Sequence, residues 1–285
     1  MVSFSRFADS DEAKAPHYMV VGQPIGHSLS PLMHNAALQY HGMDAVYHAV
    51  ELSPDDLPSF ASFMNRDTFL GCNITIPYKR EFLDWVDRLD ETARAVGAMN
   101  TLVRESDGWV GYNTDVDGFR DPLMSRHDEI AGERAIVFGT GGASLAVRHA
   151  LAQLDVEEII QVSRTPGSIQ PEGVTICGYN NWTAYAEEAV LLVNTTPLGM
   201  APMENQSPVR EQEQAFLDGR ICYDLIYNPR ETLFLRQARE AGAEIIDGLG
   251  MFIGQGDHAF QLWTGKSFPT QRIRELVEEH LRNRI

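Results

Sequence analysis

The stretch Val137-Phe138-Gly139-Thr140-Gly141-Gly142-Ala143-Ser144 decides the fold. An apolar strand, AIVFG at 135–139, runs into glycines and then into a helix-forming segment at 143–154. Glycines at such a turn let the backbone approach a pyrophosphate, and the helix N-terminus adds N–H donors and the positive end of a dipole. The GxGxxG pattern is imperfect, because Ser144 holds the third glycine position. A tight βα turn with no ligand is the competing reading. The complete strand–loop–helix–strand unit, closed by EEIIQVS at 157–163, favours a dinucleotide. Where an NAD-binding unit usually carries an acid for the ribose 2′-OH, this chain has Ser163-Arg164-Thr165. A guanidinium flanked by hydroxyls suits a 2′-phosphate, so the expected cofactor is NADP (NADPH). A solvated surface arginine is the plainer alternative.

Downstream, AVLLVNT (189–195), ICYDLIY (221–227) and EIID (244–247) read as strands, and 249–283 as amphipathic helix. Upstream, HYMVVG (17–22), AVYHAVEL (45–52), FLGCNITI (69–76) and WVGYN (109–113) read as strands. A helix is expected from Ser30-Pro31 to His41-Gly42, with Ser30 as its cap. Another opens at Ser53-Pro54-Asp55-Asp56 and a third at Pro77. Alternating strands and helices argue for an α/β chain with mostly parallel sheets. Residues 116–132, broken by Gly118 and Pro122, read as a domain crossing, and the first sixteen residues as a loose arm. A length of 285 is about two domains.

Three polar segments lie at strand ends, where open α/β sheets bind ligands: Ser28-Leu29-Ser30, Asn73 through Lys79, and Asn113-Thr114-Asp115. Asn73 and Thr75 point to one face of their strand and Ile74 and Ile76 to the other. Capping and turn chemistry would explain each segment singly.

Forty acids against 23 bases give a net charge of −17, which disfavours nucleic acid as a partner. Lysines number only three, Lys14, Lys79 and Lys266. Genomic drift to arginine and adaptation to high salt both explain this. No apolar run reaches a membrane span, and the longest notable one is Ala189–Val193. Cys72, Cys177 and Cys222 form no CxxC or even framework, so a cytoplasmic location is expected. Neither His27 nor His34 has metal-ligand spacing, and no metal is expected.

From about residue 18 to its end the chain resembles shikimate dehydrogenases. The resemblance rests on GQPIGHSLSPLMHN (22–35), GCNITIPYK (71–79), GAMNTLV (97–103), GYNTDVDGF (111–119), VFGTGGASLAV (137–147), SRT (163–165), NTTPLGM (194–200), YDLIYNPRET (223–232) and DGLGMFIGQG (247–256), in this order. It implies a substrate domain at 17–118, completed by 249–285, and a Rossmann-type NADP domain at 119–248. It implies NADPH-dependent reduction of 3-dehydroshikimate to shikimate, on the route to chorismate and aromatic amino acids, by a monomer or homodimer. Ser28 and Ser30 would hold the substrate carboxylate. Asn73, Thr75, Lys79, Asn100, Asp115, Tyr227 and Gln255 would complete the substrate site, with Lys79 and Asp115 catalytic. Gly139, Thr140, Gly141, Gly142, Ala143, Ser163, Arg164, Thr165, Asn194, Thr195, Leu225, Gly248 and Glu91 would contact the cofactor. Ser163 stands where asparagine is commoner and Met99 where valine is, and Asp117 and Asp257 bring charges near the expected site. Quinate or aminoshikimate as substrate, or a non-catalytic NADP-binding regulator, are the alternatives; the last would not need Lys79 and Asp115.

Overall fold

A computed structural model describes residues 2–167 and 173–283. The chain forms two compact units, one from its start to Thr114 together with Gln255 onward, the other Asp115–Gly254.

The first unit holds a seven-stranded sheet in the order β1-β3-β2-β4-β6-β7-β5. Its strands are β1 (Val2–Ser3), β2 (His17–Gly22), β3 (Val46–Glu51), β4 (Phe69–Ile74), β5 (Arg88–Leu89), β6 (Thr101–Glu105) and β7 (Gly108–Tyr112). The pairs β1/β3, β3/β2 and β2/β4 are parallel, whereas β4/β6 and β6/β7 are antiparallel. Chain order reverses between β2 and β4, which makes their carboxyl ends the switch point at which such sheets bind ligands.

The N-terminal segment is not a loose arm. β1 pairs with β3, and helix α1 (Phe4–Ala8) buries Phe4 and Phe7. Phe4 meets Phe63 edge-on with ring centroids 5.4 Å apart, and Phe7 meets His17 at 5.2 Å. A fully buried phenylalanine contributes about 1.5–3 kcal/mol, enough to hold a segment too short to show any periodicity.

Helix α2 (Ser30–Tyr40) has Leu29 at its N-cap, so Ser30 is not the cap but lies in the first turn. Its N–H donates to Ser28 Oγ at 3.3 Å. A capping box at Ser53 and Asp56 starts the segment leading into α3 (Leu57–Phe63). Pro77 starts turns rather than a helix, and only a 3₁₀ segment, Glu81–Trp85, follows. The reason is Tyr78, whose N–H returns to Thr75 O at 3.0 Å while its buried hydroxyl donates to Leu52 O at 2.6 Å. α4 (Glu91–Val96) is capped by Asp90.

The second unit opens at Asp115, and residues 116–132, directly after that boundary, are folded into helical segments. These are α5 (Asp115–Arg120), a 3₁₀ segment Asp121–Arg126 and α6 (His127–Ile130). Val116, Phe119, Leu123 and Ile130 are buried, a helical spacing hidden among charged neighbours. Six parallel strands follow: β8 (Arg134–Phe138), β9 (Glu158–Ser163), β10 (Val174–Gly178), β11 (Ala189–Asn194), β12 (Ile221–Asp224) and β13 (Glu244–Ile246). Their spatial order β10-β9-β8-β11-β12-β13 is the 3-2-1-4-5-6 order of a Rossmann sheet. α7 (Gly142–Gln153) follows β8, and α8 (Leu233–Ala241) precedes β13.

α9 (Leu249–Thr264) passes from the second unit into the first at Gln255, and α10 (Thr270–Arg282) ends the described chain. In the first unit Trp263 of α9 stacks on Tyr18 at 4.8 Å and donates from Nε1 to Leu102 O at 2.9 Å.

Candidate functional site

At the switch point of the first sheet the loops after β2 and β4 are tied together. Gln23 N–H donates to Ile76 O and Thr75 N–H to Val21 O, both at 2.9 Å. A Cβ on Gly22 would strike Thr75 Cγ2, so glycine permits this close approach. Ser30 is buried and Ser28 half-buried beside it. Asn73, at the end of β4, is buried, and both its amide hydrogens are engaged: Nδ2 donates to Asn100 O at 3.2 Å and to Thr101 Oγ1 at 3.0 Å. Its Oδ1 accepts from the Tyr47 hydroxyl at 2.7 Å. Asn100 Oδ1 accepts from Thr114 N–H at 2.8 Å, and Asn100 Nδ2 donates to Thr114 Oγ1 at 3.0 Å. Lys79 is half-buried in the turns after β4, with its carbonyl accepting from Met99 N–H at 2.8 Å. It lies in turns and does not open a helix. The structure thus gathers Ser28, Ser30, Asn73, Thr75, Lys79 and Asn100 at one sheet end.

Gln255 is half-buried on α9 where that helix enters this unit. Asp115 is the first residue of the second unit and of α5. Tyr227, also in the second unit, stacks on Phe252 at 4.2 Å and 15°. The two added charges have structural roles. Asp117 pairs with Arg120 at 2.7 Å, while Asp257 accepts from Phe268 N–H at 2.6 Å and from Gln261 Nε2 at 3.0 Å.

The glycine loop leaves β8 beside β11, the switch point of the second sheet. Gly139 has φ +108°, and a Cβ there would lie 2.7 Å from Thr195 Oγ1, so conformation and crowding both demand glycine. Gly141 and Gly142 face open space, and the first turn of α7 carries no acid. An anion at these N–H groups fits that arrangement. Ser144 is fully buried and acceptable in its glycine position because Gln161 meets it. Gln161 Nε2 donates to Ser144 Oγ at 3.0 Å and to Gly139 O at 2.9 Å, and Ser144 Oγ donates to Gly141 O at 2.7 Å. Gln161 was not among the expected site residues. Its signal was a lone amide within the apolar strand EIIQVS, where a buried polar group requires a partner.

At the end of β9, Ser163 Oγ accepts from Thr165 N–H at 3.1 Å, which sets the turn bearing Arg164. Arg164 and Thr165 are exposed; burial raises the Tyr179 phenol above its usual range, and the nearby Arg164 guanidinium only partly opposes that rise. Asn194 is fully buried with its side chain consumed internally: Nδ2 donates to Leu198 O and to both Asp224 oxygens at 3.1 Å, and Oδ1 accepts from Thr196. Thr195 Oγ1 donates to Phe138 O at 2.7 Å. Burial pushes the Asp224 carboxyl up to about 6, although Thr232, Ile226 N–H and Asn194 all donate to it. Leu225 and Gly248 are brought together, since a Cβ on Gly248 would overlap Leu225 O. Glu91 is exposed in the first turn of α4, in the first unit rather than the unit of the glycine loop.

A family model described as the shikimate dehydrogenase substrate binding domain matches residues 20–102, and one described as the shikimate 5′-dehydrogenase C-terminal domain matches 248–278. The chain is 38% identical over 274 residues to a shikimate dehydrogenase (NADP(+)) of Synechocystis sp., covering 92% of this chain and 94% of that one. Among solved structures, it resembles a Thermus thermophilus shikimate 5-dehydrogenase in complex with NADP(H) and shikimate, with TM-score 0.79, 32% identity, and coverage of 93% and 99%. A Corynebacterium glutamicum quinate dehydrogenase in complex with NAD matches with TM-score 0.82, 28% identity and the same coverage.

Proposed function

Since this chain belongs to the shikimate dehydrogenase family, we propose that it reduces 3-dehydroshikimate to shikimate at the expense of NADPH. The observation that carries this reading is the presence, in a chain of this family, of hydroxyl and amide side chains at the switch point of one sheet and a glycine loop at the switch point of the other. Bound NADPH supplies the hydride; the chain's own residues do the rest.

Ser28 and Ser30 hydroxyls grip the substrate carboxylate without burying a second charge. Asn73, Thr75 and Asn100 recognise ring hydroxyls, Asn73 as an acceptor because its amide hydrogens are already given away. Lys79 and Asp115 hold the proton that the C3 oxygen takes up as its carbon gains hydride, and they orient the ring for that transfer. Tyr227 and Gln255 complete the substrate contacts. The Gly139–Ala143 loop with Thr140 holds the pyrophosphate, and Ser163, Arg164 and Thr165 hold the 2′-phosphate. Asn194 acts indirectly, by fixing the loop that carries Thr195. Leu225 and Gly248 shape the nicotinamide end, and Glu91 makes a lesser contact.

One chain supplies every residue named, so a monomer and a homodimer are both compatible with activity. None of the described helices is long and apolar enough to cross a membrane. The three cysteines are buried free thiols, which agrees with work in a reducing cytoplasm.

The test is steady-state oxidation of shikimate and of quinate with NADP+ and with NAD+. Shikimate with NADP+ should give the highest kcat/KM. A preference for quinate with NAD+ would reassign the substrate, and no turnover of any pair would leave a non-catalytic NADP-binding protein.

A further inference from the structure

The first turns of α9 press two faces against two elements that carry residues of the proposed site. Positions four apart share one side of a helix, and positions two apart lie on nearly opposite sides. Gly248, just before the helix, and Phe252 make one face. Gly248 N–H donates to Ile226 O at 3.1 Å, and a Cβ on it would overlap Leu225 O. Phe252 stacks on Tyr227 with ring centroids 4.2 Å apart and an interplanar angle of 15°. This face therefore follows the chain that leaves β12, from Leu225 to Tyr227.

Gly250 and Gly254 make the other face. A Cβ on Gly250 would lie 3.3 Å from Pro122 Cγ, and one on Gly254 would lie 3.2 Å from Gly118 Cα. Gly118 belongs to α5, the helix that begins at Asp115, and Pro122 stands one helical turn further on. A larger side chain on this face would force α9 off that surface, so the two glycines seat the helix that presents Phe252.

Tyr227 lies in the irregular chain between β12 and α8 and is half-buried. A side chain there takes its direction from what its ring packs against, and Phe252 covers one face of that ring. Stacked aromatic pairs attract beyond the area they bury.

We propose that Phe252 is a positioning residue for the reduction: its ring aims Tyr227 at the substrate from a helix seated by Gly250 and Gly254. This role rests on the shikimate reading above, which makes Tyr227 a substrate contact. A phenyl ring can neither give nor take the proton of the reaction, so Phe252 acts only through the placement of Tyr227.

The deciding experiment compares wild type, Phe252→Leu, Phe252→Tyr, Tyr227→Ala and the double variant Phe252→Leu/Tyr227→Ala. It reads shikimate KM, NADP+ KM, kcat and melting temperature. Leucine keeps apolar bulk and removes the ring, whereas tyrosine keeps the ring. Phe252→Leu should raise shikimate KM about three- to tenfold, the scale of an aromatic pair. NADP+ KM and kcat should stay within about twofold, as for a contact made equally in the ground and transition states. Phe252→Tyr should bring shikimate KM back to within about twofold of wild type, because the stack is remade. On top of Tyr227→Ala, Phe252→Leu should add less than about twofold, because the ring it served is gone.

A wild-type shikimate KM in Phe252→Leu, or its full loss persisting on top of Tyr227→Ala, would overturn the proposal. Shikimate KM and NADP+ KM rising together would overturn it too, since a purely structural role loosens both sites. Should leucine lower the melting temperature below that of the assay, Phe252→Met, a second ringless variant with an adaptable apolar side chain, reads the same split. A wild-type protein that does not turn over shikimate would sink the shikimate reading itself, and this role with it.

Discussion

Substituting Gln161 by leucine should weaken NADPH binding although Gln161 is buried in a strand and touches the glycine loop only from beneath. The change removes two donated hydrogen bonds, at 2.9 Å to Gly139 O and 3.0 Å to Ser144 Oγ. Each contributes about 0.5–1.5 kcal/mol net, so the pair stabilises the loop by roughly 1–3 kcal/mol. If the whole loss appears in cofactor affinity, Kd for NADPH rises between about fivefold and hundredfold. Fluorescence titration of NADPH reads the affinity, and thermal unfolding reads the share that falls on stability. Adding Ser144→Gly to Gln161→Leu should recover part of the affinity, because the hydroxyl needing a partner is then gone. Unchanged Kd and melting temperature in Gln161→Leu would show that the loop holds its shape without this amide and would refute the reasoning.

Three further outcomes are expected. Arg164→Ala should raise KM for NADPH about ten- to hundredfold, the scale of a lost charge-assisted contact, with little change for NADH. The Asp224 carboxyl, raised to about 6, favours its neutral form in the fold, so its contribution to stability falls by up to about 3 kcal/mol as pH rises from about 4 to 6. Burial holds His34 near 3 and depresses His17 and His48, and those imidazoles act in the opposite sense, adding stability as pH rises toward about 6.5. The difference in melting temperature between wild type and Asp224→Asn across pH 4–7 therefore isolates the carboxyl, and a constant difference would contradict its burial cost. Melting temperature should also climb between ~0.1 M and ~1 M KCl, where the Debye length shrinks from ~10 to ~3 Å; a flat curve would leave genomic drift as the reason for the −17 charge.

The elements legible in sequence were those whose burial is uniform. Strands β2, β4, β8, β9 and β11 are near-continuous apolar runs because parallel sheets cover both faces, and Gly139 is dictated by its own φ. Much of the candidate site was legible as polar residues at strand ends, whereas assigning a role to each depended on family resemblance. What escaped was set by tertiary contact. The α1 segment folds only because Phe4 and Phe7 find Phe63 and His17. The turns at Pro77 form because Tyr78 is drawn to Leu52 O. Asn35, Tyr47 and Gln161 escaped because each serves another residue, and partners 12 to 26 positions apart leave no local pattern.

Lys79 and Asp115 are the groups on which the proposed reduction depends most. The measurement is kcat for NADPH-dependent reduction of 3-dehydroshikimate by wild type, Lys79→Ala, Asp115→Ala and the double variant. Each single change should lower kcat by ~10²–10⁴-fold with a much smaller change in substrate KM, the usual scale of a general acid–base contribution. The double variant should be scarcely slower than either single one, because the two act as a unit. A wild-type kcat in Lys79→Ala with only weakened substrate binding would contradict the assignment of Lys79 to proton transfer.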